Sequence, residues 1–320
     1  MPSRNDLEKR VKHARVPDLR KLGTEKINAA SANLSRKSSI EIARIINAED
    51  AKVAVAVKRA LPQIGQAIDL ISDALRQGGR LIYVGAGTSG RLGALDASEC
   101  TPTFNTDPRA VQYVIAGGKR ALAAAVEASE DSLTLGRSEL ARKKPGKNDI
   151  VVGIAASGRT PFTIAALRYA RAQGSKTIAV SCNRNSPLGR LADISIVAEV
   201  GPEVVAGSTR MKAGTAQKMI LNMLTTGAMT RLGYVYGNLM VNVHVKNEKL
   251  AGRALAILEL AAGVGRSTAR QALKNSGKSV PVALVMLEAK ANRKAAAKAL
   301  KAASGDVGLA ITIARRDQRP

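Results

Sequence analysis

Residues 80–100, RLIYVGAGTSGRLGALDASEC, read as a buried strand (81–84), a glycine- and hydroxyl-rich turn (85–90) and a helix start. That helix runs into an acidic knot, Asp96-Ala97-Ser98-Glu99. A strand feeding a Gly/Ser/Thr turn and then a helix builds an anion pocket. The glycines let the backbone come close, and the N–H groups and helix dipole point at a negative ligand. A carboxylate about two turns further along is a different device, because it opposes an anion placed beside it. The two together imply a phosphorylated substrate on which acid–base chemistry is done.

Outward from this stretch, short apolar runs recur at 111–115, 150–154, 177–180 and 194–197, with helical stretches at 119–127, 132–141 and 161–173. Continuous apolar strands separated by helices predict an α/β fold with a doubly wound parallel sheet covered on both faces. Ligands of such sheets sit beyond the C-terminal ends of the strands, where residues 85–90 and 155–160 both fall. Upstream, 38–77 carry helical periodicity, with Pro62 as an expected kink or break. Downstream, a long Ala-, Met- and Leu-rich helix is expected over 209–233.

Residues 247–320 are Ala- and Lys-rich without strand signal. They repeat at an offset of 27: Arg266 matches Arg293, Ala272-Leu273-Lys274 matches Ala299-Leu300-Lys301, and Val280, Val282 and Ala283 match Val307, Leu309 and Ala310. Two helix–glycine turn–helix units would form a small helical domain, each burying its face on the other. The expected organisation is therefore an N-terminal arm and first helix (1–50), a sugar-phosphate-binding catalytic domain (51–246) and a small helical domain (247–320). The first residues of the arm are expected to be mobile.

The composition narrows the function classes. The 320 residues are 45% hydrophobic but only 2% aromatic, with no Trp, so the core must be aliphatic. Two cysteines, Cys100 and Cys182, make no disulfide framework, and the charged N-terminus has no apolar leader, so a cytoplasmic protein is expected. No uncharged apolar run approaches the ~20 residues that span a bilayer. The net charge of +25 raises nucleic-acid binding as a reading. The basic residues are scattered and few aromatics are available for stacking, so that partner is not expected; steering of anionic substrates accounts for the charge as well.

Gly85-Ala86-Gly87-Thr88-Ser89-Gly90 matches GxGxxG after a strand. A dinucleotide site also needs an acid at the end of the next strand, and the sequence there is Val114-Ile115-Ala116-Gly117-Gly118. The hydroxyls of Thr88 and Ser89 suit a phosphosugar better. A second loop, residues 155–161 (AASGRTP), again follows a strand and opens a helix at Pro161, with Ser157 and Thr160 as hydroxyl donors. Two such loops make a cradle for a sugar phosphate. Glu99 lies in an otherwise apolar segment, where desolvation is expected to raise its pKa and fit it to donate a proton. Glu130 alone could be a solvated helix face. With only His13 and His244, neither a metal site nor a histidine-activated nucleophile is expected, and no cofactor is implied.

The runs GRLIYVGAGTSGRLGALDASECTPTF, GIAASGRTPF, EVVAGSTRMKAGTAQKMILNMLTTGAM and GNLMVNV, with the upstream TEKINAASANLS, resemble the N-acetylmuramic acid 6-phosphate etherase family of the sugar isomerase (SIS) superfamily. The resemblance covers about residues 20–313. It implies a homodimer that cleaves the D-lactyl ether of N-acetylmuramic acid 6-phosphate, giving N-acetylglucosamine 6-phosphate and D-lactate. It further implies Glu99 as proton donor to the departing lactate, Glu130 as the second catalytic glutamate, and Thr88, Ser89, Ser157 and Thr160 on the sugar phosphate. Arg159 and Lys212 are further candidates for phosphate or carboxylate contacts. Thr101, Leu34-Ser35, Ala206 and Asn242 depart from the family pattern; none removes a catalytic carboxylate. Two other readings are an SIS isomerase, which needs a base but no donor to an ether oxygen, and an SIS-type sensor, which needs neither.

Overall fold

The computed structural model describes residues 22–124, 126–243, 245 and 248–318. Most of the expected mobile arm (1–21), His13, His244 and the expected boundary at 246–247 lie outside the described residues.

Two helices, α1 (Ser39–Lys58) and α2 (Leu61–Arg76), precede the sheet. A capping box starts α1: the Ser38 backbone N–H donates to the Glu41 carboxylate at 2.9 Å. Pro62 sits in the first turn of α2, where its missing N–H leaves no gap, so the expected kink is a helix start. The expected division between residues 50 and 51 falls inside α1, whose Val53, Ala56 and Val57 are buried in the same core as the sheet.

The sheet then builds by alternation: β1 (Leu81–Gly85), α3 (Gly87–Phe104), β2 (Val111–Ile115), α4 (Leu133–Ala141), β3 (Ile150–Ile154), α5 (Pro161–Ala172), β4 (Lys176–Ser181), α6 (Pro187–Leu191), β5 (Ile194–Val197) and α7 (Lys212–Arg231). The order is β2-β1-β3-β4-β5, with every pairing parallel. Side chains alternate across each strand. Leu81 and Tyr83 join a core with α1, α2, α3 and α7, while Ile82 and Val84 join a second core with α4, α5 and α6. Both faces are covered, which is why the strands read as unbroken apolar runs.

The expected helix at 119–127 is not formed. Gly117 and Gly118 both take positive φ, 83° and 64°, and only short 3-10 turns follow at Gly118–Leu122 and Glu127–Ser129. The Arg91 guanidinium takes the carbonyls of Ala121 and Ala124, each at 2.9 Å, which a continuing helix would need for itself. The long helix expected from residue 209 starts at Lys212.

Beyond the sheet, α8 (Glu248–Ala262) packs on the first of two matched pairs, α9 (Arg266–Asn275) with α10 (Val280–Ala289), which is followed by α11 (Arg293–Ala302) with α12 (Val307–Arg316). The repeat read from the sequence is this pair of units, and even the caps recur 27 residues apart: Ser279 accepts from the Val282 N–H, Asp306 from the Leu309 N–H. These helices share a separate core that reaches back to Val241 and Val243. Among the described residues no helix is long and apolar enough to cross a membrane.

Helices α4 and α5 touch through Gly136, where a Cβ would stand 2.1 Å from the Phe162 carbonyl oxygen. Gly136→Ala must force the two helices apart and is expected to cost about 3 kcal/mol in urea unfolding. An unchanged midpoint would refute that close approach.

Candidate functional site

Leaving β1 the chain crosses to β2 on one side, whereas leaving β3 it crosses to β4 on the other. Crossovers that depart in opposite directions open a crevice at the C-terminal ends of the two strands. The two glycine and hydroxyl loops flank that crevice.

In the first loop Gly85 and Gly90 are pressed together. A Cβ on Gly90 would lie 2.7 Å from the Gly85 oxygen, and one on Gly85 would lie 2.8 Å from the Gly90 nitrogen. Ala86, before α3, offers no side chain to cap the helix, so the first-turn amides stay available to an anion. Thr88 is half-buried on this turn. Ser89 is buried and donates its hydroxyl to the Gln217 side-chain oxygen at 2.9 Å.

In the second loop Gly158 turns the chain at φ 65°, against Ser186, and the Arg159 backbone N–H donates to Ser157 Oγ at 3.1 Å. Thr160 does not cap α5 with its side chain; its hydroxyl donates to Glu130 Oε1 at 3.1 Å. The Phe162 N–H donates to the Glu130 carbonyl at 3.0 Å. Glu130 is half-buried and held by the loop at both its main chain and its carboxylate, rather than riding on a solvated helix face.

Helix α7 packs against α3 and touches the first loop. Glu203, fully buried, accepts the N–H groups of Lys212 and Ala213, each at 2.9 Å. Burial pushes the Glu203 carboxyl up, and those amides work against it. The Lys212 ammonium, 1% exposed, pairs with buried Glu49 at 2.5 Å. Burial alone would raise the Glu49 pKa; hydrogen bonds from Lys212 and Lys52 outweigh it and hold the carboxyl below its usual range. One turn on, Gly214 lies against the Thr88 methyl, and Gln217 meets Ser89. The Gln217 amide nitrogen and Arg159 Nε are buried with no partner among the described residues. Both are donors beside the loops, as an anionic ligand requires.

On α3, Asp96 faces inward. It accepts from the Tyr83 hydroxyl at 2.8 Å and from Thr225 Oγ1 at 3.1 Å, and burial pushes it up to about 6. Glu99, three residues on, is exposed on this chain. The burial expected around Glu99 is not found in this chain: Asp96 and not Glu99 takes the desolvated position. Both thiols are buried and pushed up to about 12, chiefly by that burial, so neither is a ready nucleophile.

With this geometry in place, the comparisons decide the family. Residues 63–171 match the model of the glucokinase regulatory protein N-terminal SIS domain, and residues 143–227 match the SIS domain. N-acetylmuramic acid 6-phosphate etherase 1 of Bacillus licheniformis is 49% identical over 91% of this chain and 96% of its own length. The etherase of Clostridium beijerinckii is 48% identical over 92% and 97%, and that of Symbiobacterium thermophilum 54% over 84% and 90%. The chain belongs to the N-acetylmuramic acid 6-phosphate etherase family.

Of the residues singled out in the etherase motifs, the fold gathers Thr88, Ser89, Ser157, Arg159, Thr160 and Glu130 around one crevice. Two stand apart. Glu99 lies nine residues beyond Gly90, about 14 Å along α3 and close to the expected two turns, but it is exposed. Lys212 is not free for a ligand, because Glu49 takes its charge. Sequence reasoning passed over Gln217, although it sits in the same GSTRMKAGTAQK run; the signal was present, but only the charged residue was taken from it.

Removing Lys212 takes the buried cation from Glu49 and leaves it the exposed Lys52 and a hydrogen bond from Asn28. Lys212→Ala is expected to destabilise the fold by about 3–5 kcal/mol in chemical denaturation. A normal stability with a raised KM would instead make it a ligand contact. For Asp96, the folded chain holds the proton up to about pH 6 and the unfolded chain only to 3.8. Its contribution to stability is present below pH 3.8 and is lost as pH rises through 6. Asp96→Asn should therefore gain up to about 3 kcal/mol over wild type at pH 7 and nothing at acid pH. A difference that does not depend on pH would contradict this.

Proposed function

We propose that this protein splits the D-lactyl ether of N-acetylmuramic acid 6-phosphate by elimination and readdition of water. The observation that carries the reading is the pairing of an uncapped phosphate cradle with Glu130 locked onto its second loop. In the open-chain sugar the C2 hydrogen is α to the aldehyde, so a carboxylate can remove it. The C3–O bond then breaks with its electrons on oxygen, a second carboxyl group protonates the departing lactate, and water adds to the alkene at C3. The products are N-acetylglucosamine 6-phosphate and D-lactate, and two carboxyl groups suffice.

In this reading the α3 N-terminus, with Thr88, Ser89 and Ser157, holds the phosphate, and Arg159 and Gln217 supply further donors. Glu130 is the base at C2, oriented by Thr160. Glu99 is the proton donor, contributed in trans: its exposure and its distance along α3 support a homodimer in which Glu99 of the partner subunit completes each site. That contact would supply the burial which one chain lacks, together with cover for Leu95, 48% exposed one turn before Glu99. The two free, buried thiols fit a reducing cytoplasm.

D-lactate release tests the reaction and its geometry together. Glu99→Gln and Glu130→Gln should each lose about a hundredfold or more. Co-expressed, the two variants should recover about one quarter of wild-type activity, since half the dimers are mixed and each has one intact site. No recovery would place both glutamates in one chain. No lactate from the wild type would sink the reaction itself.

A further inference from the structure

Four buried side-chain atoms have no hydrogen-bond partner among the described residues: Thr106 Oγ1, Thr163 Oγ1, Gln217 Nε2 and Arg159 Nε. Only the last belongs to a group that is always charged, and a buried donor left unpaired is costly enough to require an explanation. Arg159 also has no carboxylate within ion-pair reach among the described residues; its one recorded bond is from the backbone N–H to Ser157 Oγ. Other cations of the etherase motifs are spent, Arg91 on the carbonyls of Ala121 and Ala124 and Lys212 on Glu49. Arg210, in the run leading to α7, is unpaired too, but it is exposed and needs no partner other than water.

The place of Arg159 in the crevice separates two kinds of ligand group. Arg159 adjoins Thr160, whose hydroxyl holds Glu130 Oε1 at 3.1 Å, on the loop that leaves β3. The phosphate cradle is on the loop that leaves β1, the neighbouring strand, about 4.8 Å away. Under the etherase reading the substrate brings two anions, the phosphate on C6 and the lactyl carboxylate on the C3 oxygen. With the phosphate over the first loop and Glu130 at C2, the adjoining C3 and its lactyl arm come to the second loop. There the lactyl carboxylate meets the like charge of Glu130, and a cation beside it offsets the repulsion.

We propose that Arg159 reads the lactyl carboxylate, and so sets the preference for the ether-bearing sugar phosphate over one without the lactyl arm. This rests on the etherase reading of the crevice and deepens it. A guanidinium presents parallel N–H donors that match the two oxygens of a carboxylate. N-acetylglucosamine 6-phosphate keeps the phosphate but has no such carboxylate, so it gains nothing from Arg159.

The test measures binding by calorimetry to the full-length chain carrying Glu99→Gln, in which turnover is stopped. The ligands are N-acetylmuramic acid 6-phosphate, its lactyl carboxamide and N-acetylglucosamine 6-phosphate. The acid should bind about thirtyfold more tightly than the carboxamide, the scale of one charge-assisted pair. Adding Arg159→Gln should abolish that difference and leave N-acetylglucosamine 6-phosphate within about twofold, which also shows that the variant is folded. Arg159→Lys, which keeps the charge without the fork, should retain part of the preference. Equal weakening of all three ligands would assign Arg159 to the phosphate, and loss of the preference in Arg210→Gln instead would move the carboxylate there; either overturns the proposal. Acid and carboxamide bound equally while Arg159 is present overturns it without any variant at that position. Failure of the etherase reading is seen separately, as no lactate from the wild type.

Discussion

Parallel strands oblige the chain to cross the sheet between every pair, and β1 and β3 send it off in opposite directions. The crevice left between their C-terminal ends is the one place where two loops, two helix N-termini and the interior of the sheet meet. The rest of the catalytic domain follows from holding that crevice open. Gly85 and Gly90 approach within limits that a Cβ would break, and both strands are buried on both faces. The proposed anion cradle is made of backbone, so it is as rigid as the sheet that carries it.

Three helix N-termini converge there, and they are treated differently. α3 begins without a side-chain cap, so its first-turn amides can serve a ligand, whereas α5 opens on Pro161, which has no N–H, and gives the Phe162 N–H to the Glu130 carbonyl. α7 begins on the Glu203 carboxylate, so its amides are already spent. The buried Glu49–Lys212 pair then pins that start to α1. An isolated buried charge would be costly, and the pair is tolerated because each partner is further hydrogen-bonded or neutralised. What it secures is position: Gln217 reaches Ser89 only if α7 starts where it does. The N-terminal segment takes part in the same brace, with buried Thr24 bonded by Asn183 and Asn28 bonded to the Pro202 carbonyl.

Under the proposed mechanism it matters that one glutamate is fastened and the other is not. Glu130 is bound by the loop that would hold the substrate, which suits a base that must meet one hydrogen. Glu99 stands free on the outside of α3, where a second copy can bury it. The helical tail completes a core of its own from two repeated units, consistent with a module docked at the sheet's far edge and not with a lid over the crevice.

Much of this was legible in the residues. Apolar runs of strand length separated by helices gave the parallel sheet, the offset of 27 gave the paired helices of the tail, and the long motifs placed the chain among the etherases. Local pattern suffices there because burial on both faces and the reach of a short turn are properties of contiguous sequence. It failed where partners come from afar. The helix expected over 119–127 yielded to Arg91, 30 residues before Ala121 and 33 before Ala124, and Lys212 was claimed by Glu49 across 163 positions. Charge and spacing by themselves cannot tell a ligand-seeking lysine from a buried ion pair, nor a desolvated Asp96 from an exposed Glu99 on the same helix. Those distinctions depend on which faces of α1, α3 and α7 meet, and only the packed structure decides that.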